Sequence, residues 1–130
     1  MIIDSSALVA IALGEPTAGA LVLALAAAAS PAIGAPTAAE TSLVLEHRFP
    51  GRGHDILRAM LSRFAITVLP FPPDLWSAAH AAYARFGRGR HPAALNFGDC
   101  LCYAVCRASG QPLLFVGHDF TQTDLVAARY

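Results

Sequence analysis

The sequence predicts an α/β fold in which helices cover both faces of a mainly parallel sheet. Short apolar runs bounded by turn residues alternate with longer helical stretches along the chain, and this alternation requires crossover connections between parallel strands. The chain has 130 residues, of which 55% are hydrophobic and only 14% are charged. Such a chain can bury a core and is not disordered, so we expect a single domain over residues 1–130.

The individual elements follow from hydrophobic period and from the positions of glycine and proline. Strands are expected at residues 1–3, 32–35, 66–69 and 113–116, with a short last strand near Leu125. Helices are expected at residues 5–13, 17–29, 37–49, 55–64 and 74–86, and from Asp99 to about Ser109. Ligands of such sheets bind beyond the carboxyl ends of the strands, and candidate residues are sought there.

Composition narrows the choice of partner and compartment. Nine arginines balance nine acidic residues and lysine is absent, so any basic surface for nucleic acid must be local. The longest apolar stretch, residues 18–29, is too short for a membrane span, which needs roughly 18 residues. No export signal is expected, because Asp4 ends the first apolar run at once. Three closely spaced cysteines then indicate reduced thiols in a cytoplasmic protein.

Four acidic residues lie near predicted strand ends. Asp4 follows the first strand, Glu40 lies near the start of the helix after the second, and Asp119 follows "LLFVG". Asp99 starts the helix that leads into that last strand. Because the carboxyl ends of parallel strands share one edge of a sheet, all four carboxylates are expected to gather there.

Each acid taken alone also fits a helix cap or a turn, the commoner use of an acid in a first helical turn. Glu40 and Asp99 both have the spacing of a capping box, after Thr37 and Asn96 respectively. Helical geometry puts Glu40 on the side of Leu43, Val44 and His47, and Asp99 on the side of Cys102, Tyr103 and Cys106. We therefore expect both acids to face the packed side, where a capping acid is not needed.

Gathered carboxylates need a counter-charge, since two of them 4 Å apart repel by about 4 kcal/mol at an effective dielectric constant of 20. A hard divalent cation suits oxygen-only ligands, and we expect Mg²⁺, with Mn²⁺ as a substitute. Such an ion activates water and neutralises charge on a scissile phosphate. Ser5 and Ser6 support this site or cap the first helix. Thr121 and Asp124 are outer candidates that also fit a turn.

Four segments together resemble PIN-domain ribonucleases of the VapC toxin type: "MIIDSSALVAI", "AETSLVLE", "GRHPAALNFGDCLCYA" and "LLFVGHDFTQTD". They span nearly the whole chain in the family's order, and residues 89–103 are the most specific part. The resemblance implies a three-layer α/β/α sandwich with a central, mainly parallel sheet of about five strands. It also implies a Mg²⁺-dependent endoribonuclease toxin that cleaves RNA and inhibits translation. A cognate VapB-type antitoxin would neutralise it, and a homodimer is the family habit.

The resemblance assigns roles to the four acids. Asp4 resembles the first metal ligand, Asp99 the third acid and also a direct ligand, and Glu40 the second acid, which holds the metal directly or through water. Asp119 resembles the fourth, more variable acid. Relatives often carry two adjacent acids or an asparagine before "DF", where this chain has Gly117 and His118. Both Asp119 and Asp124 therefore stay candidates for the fourth acid.

Basic residues crowd the loop before the Asp99 helix. Arg88, Arg90 and His91, together with Ser6, are expected to bind the substrate, because arginines near a nuclease site grip the RNA backbone. A solvated, glycine-loosened loop is the alternative for the basic residues.

Rival functions fit less well. A haloacid-dehalogenase-like phosphatase needs an aspartate where Ser6 stands and also a lysine, and a response-regulator receiver needs the same missing lysine. The remaining alternative is a catalytically idle PIN-fold module that binds a protein partner or DNA within a toxin–antitoxin-like complex.

Overall fold

The computed structural model describes residues 1–130 and contains four strands and six helices. The strands are β1 (Ile2–Ile3), β2 (Ala32–Gly34), β3 (Thr67–Leu69) and β4 (Leu113–Leu114). The helices are α1 (Ser5–Leu13), α2 (Ala18–Ala27), α3 (Ala35–Arg48), α4 (Gly53–Arg63), α5 (Leu75–Phe86) and α6 (Phe97–Ser109). Every element predicted from the sequence is present except the last strand. No helix combines the length and the apolar character that a membrane span requires.

The sheet is parallel throughout, with strand order β3-β2-β1-β4. It has four strands instead of the five predicted. At the fifth position, Leu113 makes a single parallel bridge with Ala127. The Leu113 N–H donates to the Val126 carbonyl at 2.8 Å, and the Ala128 N–H donates to the Leu113 carbonyl at 2.8 Å. Pairing stops there because the residues before Val126 form turns closed by threonine hydroxyls.

Helices cover both faces of this sheet, as predicted. Successive strand residues point to opposite faces, so Ile2 and Leu113 join the core beside α5 and α6, whereas Ile3 and Leu114 join the core beside α1, α2 and α4. The result is a three-layer α/β/α arrangement.

Local sequence explains where the helices beside the sheet edge begin. Asp4 is the N-cap of α1, and its carboxylate accepts the Ser6 N–H. Asn96 is the N-cap of α6 and forms a capping box with Asp99. Helix α3 follows β2 directly and begins at Ala35, two residues earlier than predicted, because proline at the second helical position is compatible with the first turn.

The α3–α4 connection is held by one side chain. The Glu46 carboxylate accepts the N–H of Gly51 at 2.5 Å and the N–H of Gly53 at 2.9 Å, and so satisfies orphan donors at the start of α4. Gly53 also packs directly on α3, since a Cβ there would lie 2.1 Å from the Glu46 backbone nitrogen.

Candidate functional site

Asp4 lies at the carboxyl end of β1 and is 5% exposed. Its Oδ2 accepts a hydrogen bond from the Ser6 N–H at 3.0 Å and from the Ser6 hydroxyl at 2.6 Å. The same hydroxyl accepts the Val116 N–H at 3.0 Å, which ties the start of α1 to the end of β4. Ser6 was a candidate substrate-binding residue. Its hydroxyl donates its hydrogen to Asp4, so its contacts orient that carboxylate.

Asp99 lies in the first turn of α6, and its capping alternative is confirmed. Its Oδ2 accepts the Asn96 N–H at 2.8 Å, and the Asn96 side chain accepts the Asp99 N–H at 3.0 Å. Burial raises the pKa of Asp99 and the charges of Asp4 and Asp119 raise it further, while the hydrogen bond from Asn96 and the charge of Arg88 oppose this. Capping therefore coexists with close approach to two other carboxylates.

Glu40 reaches the site from within α3. Its predicted capping box is wrong: because α3 begins at Ala35, Thr37 lies inside the helix, and its buried hydroxyl has no hydrogen-bond partner. The Glu40 carboxylate instead lies over Gly98, where a Cβ would sit 2.6 and 2.7 Å from its two oxygens. Burial raises the pKa of Glu40, and the charges of Asp4 and Asp99 add to the rise.

The predicted facing holds for one acid and fails for the other. The residues that share the side of Asp99 are buried: Cys102, Tyr103 and Cys106. On α3 the buried face consists of Thr37, Ala38, Thr41 and Leu45. Leu43 and His47 are exposed, so Glu40 stands at the rim of the packed face and not within it.

The structure separates the two candidates for the fourth acid. Asp119 is exposed in the loop after β4, and its charge contributes to the raised pKa of Asp99. Asp124 is engaged elsewhere, since it accepts hydrogen bonds from the Tyr103 hydroxyl at 2.7 Å and from Arg85 at 2.8 Å. Of the two, Asp119 is the one that interacts with the other acids.

Four carboxylates are thus close enough at one edge of the sheet for their charges to interact, and the charge of Arg88 partly offsets this repulsion at Asp99. Uncompensated oxygen donors are the ligand set of a hard divalent cation, so the donor chemistry fits Mg²⁺ or Mn²⁺. In their present side-chain positions, no three histidine, cysteine, aspartate or glutamate side chains are close enough to share one ion. Joint binding would require these side chains to turn inward.

The basic loop is only partly directed at the acids. Arg88 is close enough to lower the pKa of Asp99. The Arg90 guanidinium lies 5.5 Å from the centre of the Tyr83 ring. His91 is half-buried, its ring packs edge-on against Phe86 at 5.2 Å, and its Nδ1 accepts the Ala93 N–H at 3.1 Å. The contacts of His91 therefore shape the loop.

Known proteins are similar to this chain in sequence and in fold. The family model of the PIN domain matches residues 1–125. Ribonuclease VapC36 of Mycobacterium tuberculosis is 46% identical over 126 residues, which cover 96% of this chain and 91% of the relative. Ribonuclease VapC of Mycolicibacterium smegmatis is 43% identical over 127 residues, 98% of each chain. The chain belongs to the PIN-domain family, among the VapC ribonucleases.

Two solved structures have the same fold. The crystal structure of VapC20 of Mycobacterium tuberculosis, a sarcin–ricin loop cleaving toxin, superposes with a TM-score of 0.80 at 20% identity and covers 99% of this chain and 98% of that one. A toxin–antitoxin complex from Klebsiella pneumoniae gives a TM-score of 0.75 at 17% identity and covers 99% and 97% of the two chains. The predicted family and fold class are confirmed, and so is the predicted type of function, that of a VapC ribonuclease.

Sequence reasoning missed two contacts of this PIN domain. The motif "LNFGDC" does not reveal that Glu40 needs the space that a side chain at Gly98 would fill. All three cysteines are free and buried. Cys102 additionally lies beside Asp4, and burial and that carboxylate raise the pKa of its thiol. Cys102 stands three residues after Asp99, on the same side of the helix, and this spacing was the available signal.

Proposed function

We propose that this chain is a metal-dependent endoribonuclease toxin that cleaves RNA and thereby inhibits translation. The observation that carries the proposal is the convergence of Asp4, Glu40, Asp99 and Asp119 at the carboxyl edge of the sheet, where burial and the charges of the neighbouring acids raise the pKa values of Glu40 and Asp99. Carboxylates held together in this way lose their repulsion when a divalent cation binds among them. Membership of the VapC ribonucleases supports RNA as the substrate.

The residues of the proposed site have different roles. Asp4, Asp99 and Glu40 would hold Mg²⁺ or Mn²⁺, with Asp119 as the outer acid. When bound, such an ion supplies an activated water and neutralises charge on the phosphate. Ser6 fixes the orientation of Asp4 through its two hydrogen bonds. Arg88, beside Asp99, would contact a phosphate of the RNA backbone, with Arg90 farther out on the same loop.

Membership of the family supports the partners that we propose. A cognate VapB-type antitoxin would neutralise the toxin. A homodimer would bury the apolar surface that α3, α5 and α6 leave uncovered, where Trp76 is 67%, Phe97 78% and Leu43 71% exposed. Two hollows of about 380 Å³ each lie on either side of Phe97 and Leu101 on this surface. Measurement of the oligomeric state in solution tests the proposed homodimer. A cytoplasmic location suits an RNA substrate and three free thiols.

An RNA-cleavage assay tests the proposed activity. The purified protein should cleave single-stranded RNA with Mg²⁺ or Mn²⁺ and should stop when EDTA is added. Asp99→Asn should lose roughly 100-fold or more in rate, since electrostatic groups at a reacting centre contribute on this scale. Asparagine keeps an oxygen that can accept the Asn96 N–H, so the α6 cap and the circular dichroism spectrum should be retained. Glu15→Gln, an exposed acid outside the site, is the matched control.

Two outcomes would contradict the proposal. Cleavage that is insensitive to EDTA would remove the metal from the mechanism. Absence of cleavage by the folded wild-type protein, across messenger, transfer and ribosomal RNA substrates, would favour the alternative of a catalytically idle binding module.

A further inference from the structure

Asp124 joins the two helices that lie beside the site. Its Oδ1 accepts the Tyr103 hydroxyl at 2.7 Å, and its Oδ2 accepts Arg85 Nη1 at 2.8 Å. Arg107 Nη1 lies 3.9 Å from the same Oδ2. One carboxylate in the carboxyl-terminal segment is thus held by α5 through Arg85 and by α6 through Tyr103 and Arg107. We call this group of contacts the Asp124 clamp.

The Asp124 clamp closes the loop that carries Asp119. This loop leaves the sheet after β4, and its middle is pinned by Phe120, which is buried and packs edge-on against Phe115 at 5.3 Å. Turns follow in which the Thr121 hydroxyl donates to the His118 carbonyl at 2.6 Å and the Thr123 hydroxyl donates to the Phe120 carbonyl at 2.8 Å. Asp124 comes next and makes the side-chain tie between this segment and α6.

The hydrogen bond between Asp124 and Tyr103 lies close to the other acids. Tyr103 lies four residues after Asp99 on α6, on the same side and about one helical turn away. The contact between Asp124 and Tyr103 therefore relates the loop of Asp119 directly to the helix of Asp99. Asp119 itself is exposed and makes no hydrogen bond through its side chain, so its position depends on how its loop is held.

The charge states support a lasting contact. The hydrogen bond from Tyr103, and then Arg85, lowers the pKa of Asp124. Burial, and then the hydrogen bond to Asp124, raises the pKa of Tyr103 to about 12. At neutral pH a neutral phenol donates to an ionised carboxylate, an arrangement stronger than a hydrogen bond between two neutral groups.

We propose that Asp124, Tyr103 and Arg85 are positioning residues that hold Asp119 opposite Asp99, so that Asp119 can complete the acidic site. This inference rests on the proposed function, because it assumes that Asp119 contributes to binding a divalent cation. It assigns Asp124 a role that differs from that of a fourth acid: the residue acts through another carboxylate.

Binding of Mn²⁺, followed by electron paramagnetic resonance on the full-length protein, tests the role of the Asp124 clamp. Asp124→Asn should weaken Mn²⁺ binding roughly tenfold, the scale on which residues that orient metal ligands act. Tyr103→Phe removes only the hydroxyl and should shift affinity in the same direction by a smaller factor. Asp74→Asn, an exposed aspartate before α5, is the control and should leave affinity unchanged.

A double-mutant cycle separates positioning from general loss of structure. In the Asp119→Asn background, Asp124→Asn should change Mn²⁺ affinity by less than about twofold, because the carboxylate that it positions is already gone. An equal loss in both backgrounds, or no loss from Asp124→Asn and Tyr103→Phe, would overturn the proposal. If Asp124→Asn does not fold, the cycle with Tyr103→Phe decides. Failure of the proposed function has a different signature, since the wild-type protein itself would then not bind Mn²⁺.

Discussion

Replacing Gly98 with alanine should disturb the site without harming the fold. A Cβ at this position would lie 2.6 Å from one Glu40 carboxylate oxygen and 2.7 Å from the other. To restore an ordinary contact of 3.4 Å, the carboxylate must retreat by about 0.8 Å. The atoms in conflict are the end of a flexible side chain, so the movement costs little stability. Alanine also favours the helix over glycine, by up to about 1 kcal/mol.

The functional cost should be much larger than the cost in stability. Displacement of a positioned group by about 1 Å lowers rates by as much as 100-fold. We therefore expect Gly98→Ala to lose roughly 10- to 100-fold in RNA cleavage and to bind Mn²⁺ more weakly, with a midpoint of thermal unfolding equal to or above that of the wild-type protein. The assay pairs cleavage of a fluorescent RNA with a thermal unfolding curve on the same preparation.

Gly19→Ala is the matched control for this experiment. Gly19 is likewise the second residue of its helix, α2, and a Cβ there would meet nothing within 4 Å. It should gain the same helix propensity and keep full activity. If Gly98→Ala cleaves RNA and binds Mn²⁺ as well as Gly19→Ala does, the Glu40 carboxylate is not needed at its observed place, and the reasoning fails.

Two further predictions concern stability. Because the folded state holds the protons of Glu40 and Asp99 at raised pKa values, the metal-free protein should lose stability as pH rises from the ordinary carboxyl range through those values. Glu40→Gln should reduce this loss and raise the unfolding midpoint of the metal-free protein at pH 7; an unchanged or lower midpoint would show that the carboxylates do not repel one another. Glu46→Gln, which weakens the cap on Gly51 and Gly53, should lower the free energy of unfolding by about 1 kcal/mol, measured by urea denaturation, while the unfolding free energy of Glu15→Gln stays at the wild-type value.

Most of the fold could be predicted from the sequence because the residues that end its helices are easily recognised. Gly14 and Gly110 end α1 and α6 in the left-handed region, with φ of 67° and 64°, where glycine is favoured. The fifth strand, which was predicted but is not formed, has a different explanation. Hydrophobic pattern shows that residues near Leu125 can pair, but the turns before Asp124 leave only one bridge, to Leu113. The extent of this pairing depends on tertiary contacts, which the hydrophobic pattern does not show.

The convergence of the acids could be predicted from the sequence, but their detailed geometry could not. Strand ends placed Asp4, Asp99 and Asp119 at a common edge by topology alone. For Glu40 the capping prediction needed the exact start of α3, and an error of two residues there produced the false capping box. The false buried face has another cause, since helical spacing shows which residues share a side but not which side packs against the sheet. The choice between Asp119 and Asp124 depended on Tyr103 and Arg85, which lie 21 and 39 residues from Asp124 in the chain. No local pattern encodes such pairings.

Helix capping and metal binding, which the sequence presented as rival uses of the acids, are compatible in this fold. Asp4 accepts the capping hydrogen bonds through Oδ2, and Asp99 likewise accepts its capping hydrogen bond through Oδ2. The second oxygen of each carboxylate takes no part in capping. A cap fixes the side-chain torsions at a helix start, and parallel strands bring two such starts to one edge of the sheet. The interactions that begin α1 and α6 therefore also keep two carboxylates at one edge of the sheet, so that less conformational freedom is left to lose when these side chains turn inward to share an ion.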